Sequence, residues 1–362
     1  MKPIIRLVLA VIVISILSAC QSLALATPAP SSTFVVITPT PLPPTPTPQP
    51  TATPEPTLLP SATPDACPNG DCITACFLKL APIANPADLK ARRSSRSIEV
   101  EDGFRLVSYA VNGDQIDNPV DGSNFPDWLK PFQQDRAAQR QVWDYFAALI
   151  PLDQRKYLSE YHVISDGEDN TLAMVTQTET DMNSWALEVD IFDTANAQDL
   201  TDTLIHEFSH LLSLNPSQVP ASKRIFDNPD DYDIYDGEAY ACKTYFPGEG
   251  CSLPESYINQ FYQRFWKKIQ PEWTALDDLE SEDDYYAALD RLYIKYQDQF
   301  VSDYAATDTS EDFAEVFTVF ILEPKPNADT IADQKVLFFY EFPELVSLRG
   351  QIGHNLCTRV AK

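Results

Sequence analysis

Two histidines and a glutamate carry the most informative chemistry in this chain, in the run His206-Glu207-Phe208-Ser209-His210. Residues four apart on an α-helix lie one turn above each other on a single face. Two imidazoles so placed can hold one Zn²⁺, and the carboxylate beside the first can reach a water next to the ion. The surrounding residues supply the helix that this spacing needs. Leu200, Leu204, Ile205, Phe208, Leu211 and Leu212 recur at helical intervals, Asp199 or Thr201 can cap the start, and Asn215-Pro216 ends the run. The competing reading is a buried amphipathic helix whose histidines hydrogen-bond within the core. Of the four histidines in the chain, two sit here.

A catalytic zinc usually takes three protein ligands and keeps one position open, so two histidines leave it one short. The segment Tyr304-Ala305-Ala306-Thr307-Asp308-Thr309-Ser310-Glu311-Asp312-Phe313-Ala314-Glu315 offers the third. Ser310 or Thr309 can cap a helix starting at Glu311, and Phe313, Val316, Phe317 and Phe320 continue it to Pro324. Glu311 and Glu315 share a helix face and repel each other unless cations hold them. Zinc on one and the N–H of a ligand histidine on the other would do so. Acidic side chains are also favourable at a helix N-terminus without any metal, and the spacing leaves that alternative open.

Together the two segments resemble the catalytic domains of anthrax lethal factor and the clostridial Pro-Pro endopeptidases, which are zinc metallopeptidases of the gluzincin type. The resemblance implies that Glu311 is the third zinc ligand, that the Tyr304 hydroxyl faces the reaction centre, and that Glu315 supports the site from behind. It covers the two motif segments only. His210 and Glu311 are 101 positions apart, a wider gap than in those relatives, so residues 216–300 read as an insertion. The stretch CKTYFPGEGCSLPESYINQFYQRFW from Cys242 onward is also similar to bacterial lipoproteins described as zinc-binding metallopeptidases.

The first residues read as a leader. Lys2 and Arg6 precede an apolar run over residues 7–17, too short for a membrane span, which needs ~20 apolar residues. Leu17-Ser18-Ala19-Cys20 resembles the lipobox of bacterial lipoproteins, which implies cleavage after residue 19 and lipid on Cys20. Ordinary cleavage near Ala24-Leu25-Ala26 is the alternative. Residues 20–66 are dominated by Pro and Thr, which remove backbone donors and favour extended segments, so a disordered stalk is expected.

Net charge is −27, and removing the leader cations Lys2 and Arg6 takes it to −29, which argues against nucleic acid as a partner. Apart from Cys20 the cysteines are Cys67, Cys72, Cys76, Cys242, Cys251 and Cys357, an even number suited to an oxidising compartment. Cys242 and Cys251 flank a short Gly/Pro loop and are expected to pair. A link from the Cys67, Cys72 and Cys76 cluster to Cys357 would tie the start of the domain to its end. A zinc knuckle fits poorly, because the C-x4-C-x3-C spacing lacks C-x2-C pairs.

Within the domain, Asn112-Gly113 signals a hairpin. Residues 133–149 read as an amphipathic helix stopped by Pro151, and residues 152–161 as a second helical segment. Strands are expected at 161–165, 172–178 and 185–192, and one of them should present an antiparallel edge to an extended substrate. The acidic loop 227–238 lacks EF-hand spacing and reads as solvated rather than calcium-binding. Helices follow at 254–270 and 281–300, with Ser281 and Asp284 resembling a capping box and an aromatic stripe expected in the core.

The expected fold is α+β: a mainly helical zincin-like domain over residues 67–362 with a small antiparallel sheet. Strands fall in 67–198 and the site in 199–362, and a signal peptide over 1–19 and a Pro/Thr-rich stalk over 20–66 precede them. The expected function is zinc-dependent endopeptidase, with Glu207 and Tyr304 catalytic, His206, His210 and Glu311 on the metal, and Glu315 behind them. The expected substrate is a protein or peptide, the expected location the bacterial cell surface, and the expected state a monomer anchored by Cys20. The alternative is a catalytically silent binding or adhesion module on the same fold.

Overall fold

The computed structural model describes residues 71–81, 103–167, 171–276, 279 and 281–360. The expected leader, Cys20, the Pro/Thr-rich stretch and Cys67 lie outside them. Five strands make one sheet: β1 (Phe104–Asn112), β2 (Gln115–Asp121), β3 (Leu158–Ser165), β4 (Ala173–Gln177) and β5 (Trp185–Asp190), in the order β2-β1-β3-β5-β4. The first two join through a two-residue turn, Gly113-Asp114, with Asn112 paired to Gln115. Gly113 takes φ +65°, a value that glycine adopts without the strain a side chain would add.

The sheet is mixed, not antiparallel as expected. After β3 the chain crosses to the outer edge, forms β4, and returns as β5 into the gap between β4 and β3. That insertion makes β5 antiparallel to β4 and parallel to β3, with Tyr161 opposite Leu187 and Ile164 opposite Asp190. The central position explains why all six residues of β5 are buried. β4 is left as an edge.

The longer helices are α1 (Asp71–Phe77), α2 (Arg136–Leu149), α3 (Ala197–Leu214), α4 (Tyr232–Ala241), α5 (Glu282–Lys295), α6 (Thr309–Leu322), α7 (Ile331–Phe339) and α8 (Pro343–Val360). α3 packs on β4 on one side and on α6 on the other, with Phe208 and Phe317 ring centroids 6.1 Å apart. Phe313, Phe317 and Phe320 then meet Phe339 of α7, extending one continuous core. Among the described residues no helix is long and apolar enough to cross a membrane.

Three local expectations change. α2 begins at Arg136, because the Asp135 side chain accepts the N–H of Ala138 and caps it there. Residues 152–161 are not helical: a single turn at Leu152–Gln154 leads into β3, whose alternating β-branched and aromatic residues belong beside β1. The helix expected over 254–270 is broken into Tyr257–Phe261, a wide turn at Tyr262–Trp266 and Gln270–Thr274. Ser281 caps α5 as expected, accepting the N–H of Asp284. Phe261, Phe265, Trp266 and Tyr285 are buried, as core aromatics should be. The acidic residues 227–233 are exposed. Disulfides join Cys242 to Cys251 and Cys76 to Cys357, the latter with Cα atoms 5.1 Å apart.

Candidate metal centre

α3 owes its start to Asn196, whose side-chain oxygen accepts the N–H groups of Gln198 and Asp199. The cap therefore lies ahead of both expected residues, Asp199 and Thr201. At the other end the Asn215 amide donates to the carbonyls of Leu211 and Leu212, satisfying groups that the helix leaves open. Between these ends Leu200, Leu204, Ile205, Phe208 and Leu211 are buried, fixing the rotation of the helix. That rotation turns His206 and His210 toward α6. α6 is capped by Asp308, not Ser310 or Thr309; its carboxylate accepts from the N–H of Glu311 at 3.1 Å and also from Ser310.

Donor atoms from the two helices converge on one point. Nε2 of His206 and Nε2 of His210 are 3.1 Å apart, and Oε2 of Glu311 lies 3.0 Å from the first and 3.5 Å from the second. Tetrahedral ligands on bonds of 2.0–2.1 Å stand about 3.3 Å from one another, so the trio has the spacing and the N/O chemistry that zinc takes. Both ring nitrogens cannot carry protons while facing each other at that distance. One proton between them, or a shared cation, satisfies both.

The opposite nitrogen of His206, Nδ1, lies 2.9 Å from Oε1 of Glu315. Burial disfavours charge on Glu315, but bonds from His206 and Ser302 outweigh it and hold its pKa below the usual value. Glu315 is thus a carboxylate, and Nδ1 donates to it, leaving Nε2 as the atom that could hold a metal. Ser302 Oγ donates to the other Glu315 oxygen at 2.6 Å and accepts from Ala305 N–H at 3.1 Å. This hydroxyl ties the acid to the turn Tyr304–Ala306. Glu311 is held well below the usual carboxylate range: burial opposes its charge, and the His210 and His206 imidazoles overcome that opposition. Burial likewise lowers the proton affinity of His206, yet Glu311 and Glu315 reverse the effect and lift its pKa to about 10. The carboxylates collect positive charge at this point, whether proton or metal.

Glu207 is only 8% exposed, and Oε2 accepts the N–H of Val175 on β4 at 2.8 Å. Burial raises its pKa against the pull of both imidazoles. Thr178 N–H bonds Ser184, and Asp190 N–H bonds Leu172, so even-numbered residues face β5 and odd-numbered ones face the open edge. The open edge of β4 is therefore the side that meets Glu207. Tyr304 is half exposed, with its ring centroid 5.9 Å from that of His206. Burial of its hydroxyl and the Glu311 and Glu207 carboxylates raise its pKa, so it remains a proton donor.

All six expected residues are brought together: His206, Glu207, His210, Tyr304, Glu311 and Glu315. Several supporting groups carry no local signal. Asp312 Oδ2 accepts from Trp266 Nε1 and from Lys335 Nζ, both at 2.6 Å, and the Asp312 and Lys335 side chains are fully buried. Trp273 Nε1 donates to Thr307 O at 2.8 Å, and the Tyr245 hydroxyl lies 3.3 Å from Ser310 Oγ. Residues from the 216–300 segment thus buttress the start of α6, one residue to either side of Glu311. Ser302, Asp308 and Asp312 could have been suspected only as polar residues crowding the helix start. No family model, curated protein or solved structure matches this chain.

Proposed function

We propose that this protein is a zinc-dependent endopeptidase of the gluzincin type, exported and held at a membrane by lipid on Cys20. The observation that carries this reading is the convergence of His206, His210 and Glu311 from two helices, with Glu207 buried beside them against the edge of β4. Zinc held by that trio would polarise a water and the carbonyl of the bond to be cut. Glu207 takes the proton of the attacking water and passes it to the leaving amine, and its raised pKa suits both transfers. Tyr304 donates its hydroxyl to the oxyanion that forms as the water adds. Glu315 fixes the ring of His206 and its tautomer. An extended peptide can add to β4 through the outward backbone groups of Ala173 and Gln177 and the Val175 carbonyl, the Val175 N–H being already bonded to Glu207.

Cleavage of an unbiased peptide library by the purified protein is the deciding experiment. Glu207→Gln keeps size and removes the proton acceptor, so it should retain zinc and lose roughly 10²–10⁴-fold in kcat. Tyr304→Phe should retain zinc and lose roughly 10²–10³-fold. Equal cleavage by wild type and Glu207→Gln would sink the mechanism, and a zinc-loaded wild type that cleaves nothing would favour a binding module. The disulfides fit an extracytoplasmic location; Cys20→Ala should leave the membrane fraction, and its retention there would refute the anchor.

A further inference from the structure

The parallel pairing of β3 and β5 places both C-terminal ends side by side, since Ile164 lies opposite Asp190. Asp166 follows β3, Asp190 closes β5, and Asp193 lies in the turn after it. Each offers one carboxylate oxygen, and the three oxygens lie within 4.8 Å of one another. Asp190 is fully buried and Asp166 is 6% exposed. Asp190 accepts two backbone N–H groups, from Asp166 at 2.9 Å and Phe192 at 2.6 Å. Oδ1 of Asp166 is buried with no hydrogen-bond partner, so the cluster holds an acceptor that nothing in the fold satisfies.

We propose that Asp166, Asp190 and Asp193 form a calcium site at the head of the parallel strand pair. The donor set is oxygen alone, which suits a hard cation and not the N/S preference of zinc. Calcium tolerates irregular shells and completes them with water, whereas magnesium demands near-ideal octahedral geometry. Three carboxylates this close repel one another, and a cation between them relieves that repulsion. The ion would bind the turn that runs from β5 into α3, whose cap Asn196 lies three residues beyond Asp193. It would fix the entry of the helix that carries His206 and His210 without touching the reaction.

Terbium, which substitutes for calcium and emits when a nearby aromatic ring is excited, gives a direct readout. The Trp128 ring lies 5.8 Å from that of Phe192, the residue just before Asp193. With zinc kept saturating in calcium-free buffer, terbium should show sensitised emission that calcium displaces. Calcium at 100 times its Kd should raise Tm by roughly 3–5 °C, and the same concentration of magnesium should do much less. Asp190→Asn and Asp193→Asn should abolish both responses; if the buried Asp190→Asn fails to fold, the partly exposed Asp193→Asn decides. Glu311→Gln, which removes a zinc ligand, should keep the calcium response, so failure of the zinc reading leaves this one standing. The proposal is overturned by a wild type unresponsive to roughly 10 mM calcium, above the ~10⁻³ M limit of extracellular modules. It is equally overturned by a response that survives in Asp193→Asn, or by magnesium matching calcium.

Discussion

Glu311 and Glu315 are chemically identical and four residues apart, yet their positions around His206 assign them different work. Glu311 faces Nε2 of both histidines, while Glu315 faces only Nδ1 of His206. Replacing Glu315 by Gln keeps the shape and still lets Nδ1 donate to the amide oxygen. What is lost is the charge that makes the ring a better ligand. Removal of such a supporting group costs about 10–100-fold in metal affinity, or about 1.4–2.7 kcal/mol. Glu311→Gln removes a proposed ligand outright and should cost more than ~100-fold. Ser302→Ala deletes the hydroxyl bonded to Glu315 at 2.6 Å and, acting one step further away, should cost no more than about tenfold. Competition for zinc against a chromophoric chelator at one pH ranks all three. The reasoning fails if Glu315→Gln loses zinc as severely as Glu311→Gln. It is reversed if Glu311→Gln retains zinc and Glu315→Gln does not.

Two further outcomes follow from buried charge. Asp312→Asn leaves Lys335 charged and unpaired in the core and should cost about 3–5 kcal/mol, a fall in Tm of about 5–8 °C for this size of domain. Asp312→Leu combined with Lys335→Met should cost far less, and a double variant as unstable as the single one in thermal unfolding would refute the argument. In the metal-free protein the His206 pKa stands at about 10 against an ordinary 6.5. Stability from its proton is therefore complete below pH 6.5 and lost as pH rises through 10. Zinc affinity should rise over the same interval, because the proton on Nε2 must leave first; metal-free denaturation curves that do not weaken between pH 7 and 10 would contradict this.

The placement of the candidate site was legible because it is written at helical spacing. His206 and His210, and Glu311 and Glu315, each declare a face four residues apart, and apolar neighbours declare the face that is buried. Helix starts were less legible. Asn196 and Asp308 won the capping positions from neighbours with equally suitable side chains, and only backbone geometry decides between them. Strand direction was not legible at all, since period-two alternation is the same in parallel and antiparallel pairs; β5 is parallel to β3 because β4 was placed outside it. Asp312 gave no signal, because its partners Trp266 and Lys335 lie 46 and 23 positions away. Residues 152–161 misled because Leu152, Tyr157 and Leu158 fit a helix nearly as well as a turn and a strand.

The bond between Cys76 and Cys357 turns the intervening chain into a closed covalent ring. A ring can be opened once without falling into two pieces. The exposed segment 227–233 lies between the histidine pair and Glu311, so a protease cutting there would separate the proposed zinc ligands along the chain and still leave them in one molecule. Such a nicked form would migrate as a single species until its disulfides were reduced. The same ring topology makes this segment a natural place to open new chain ends while leaving both halves of the centre joined.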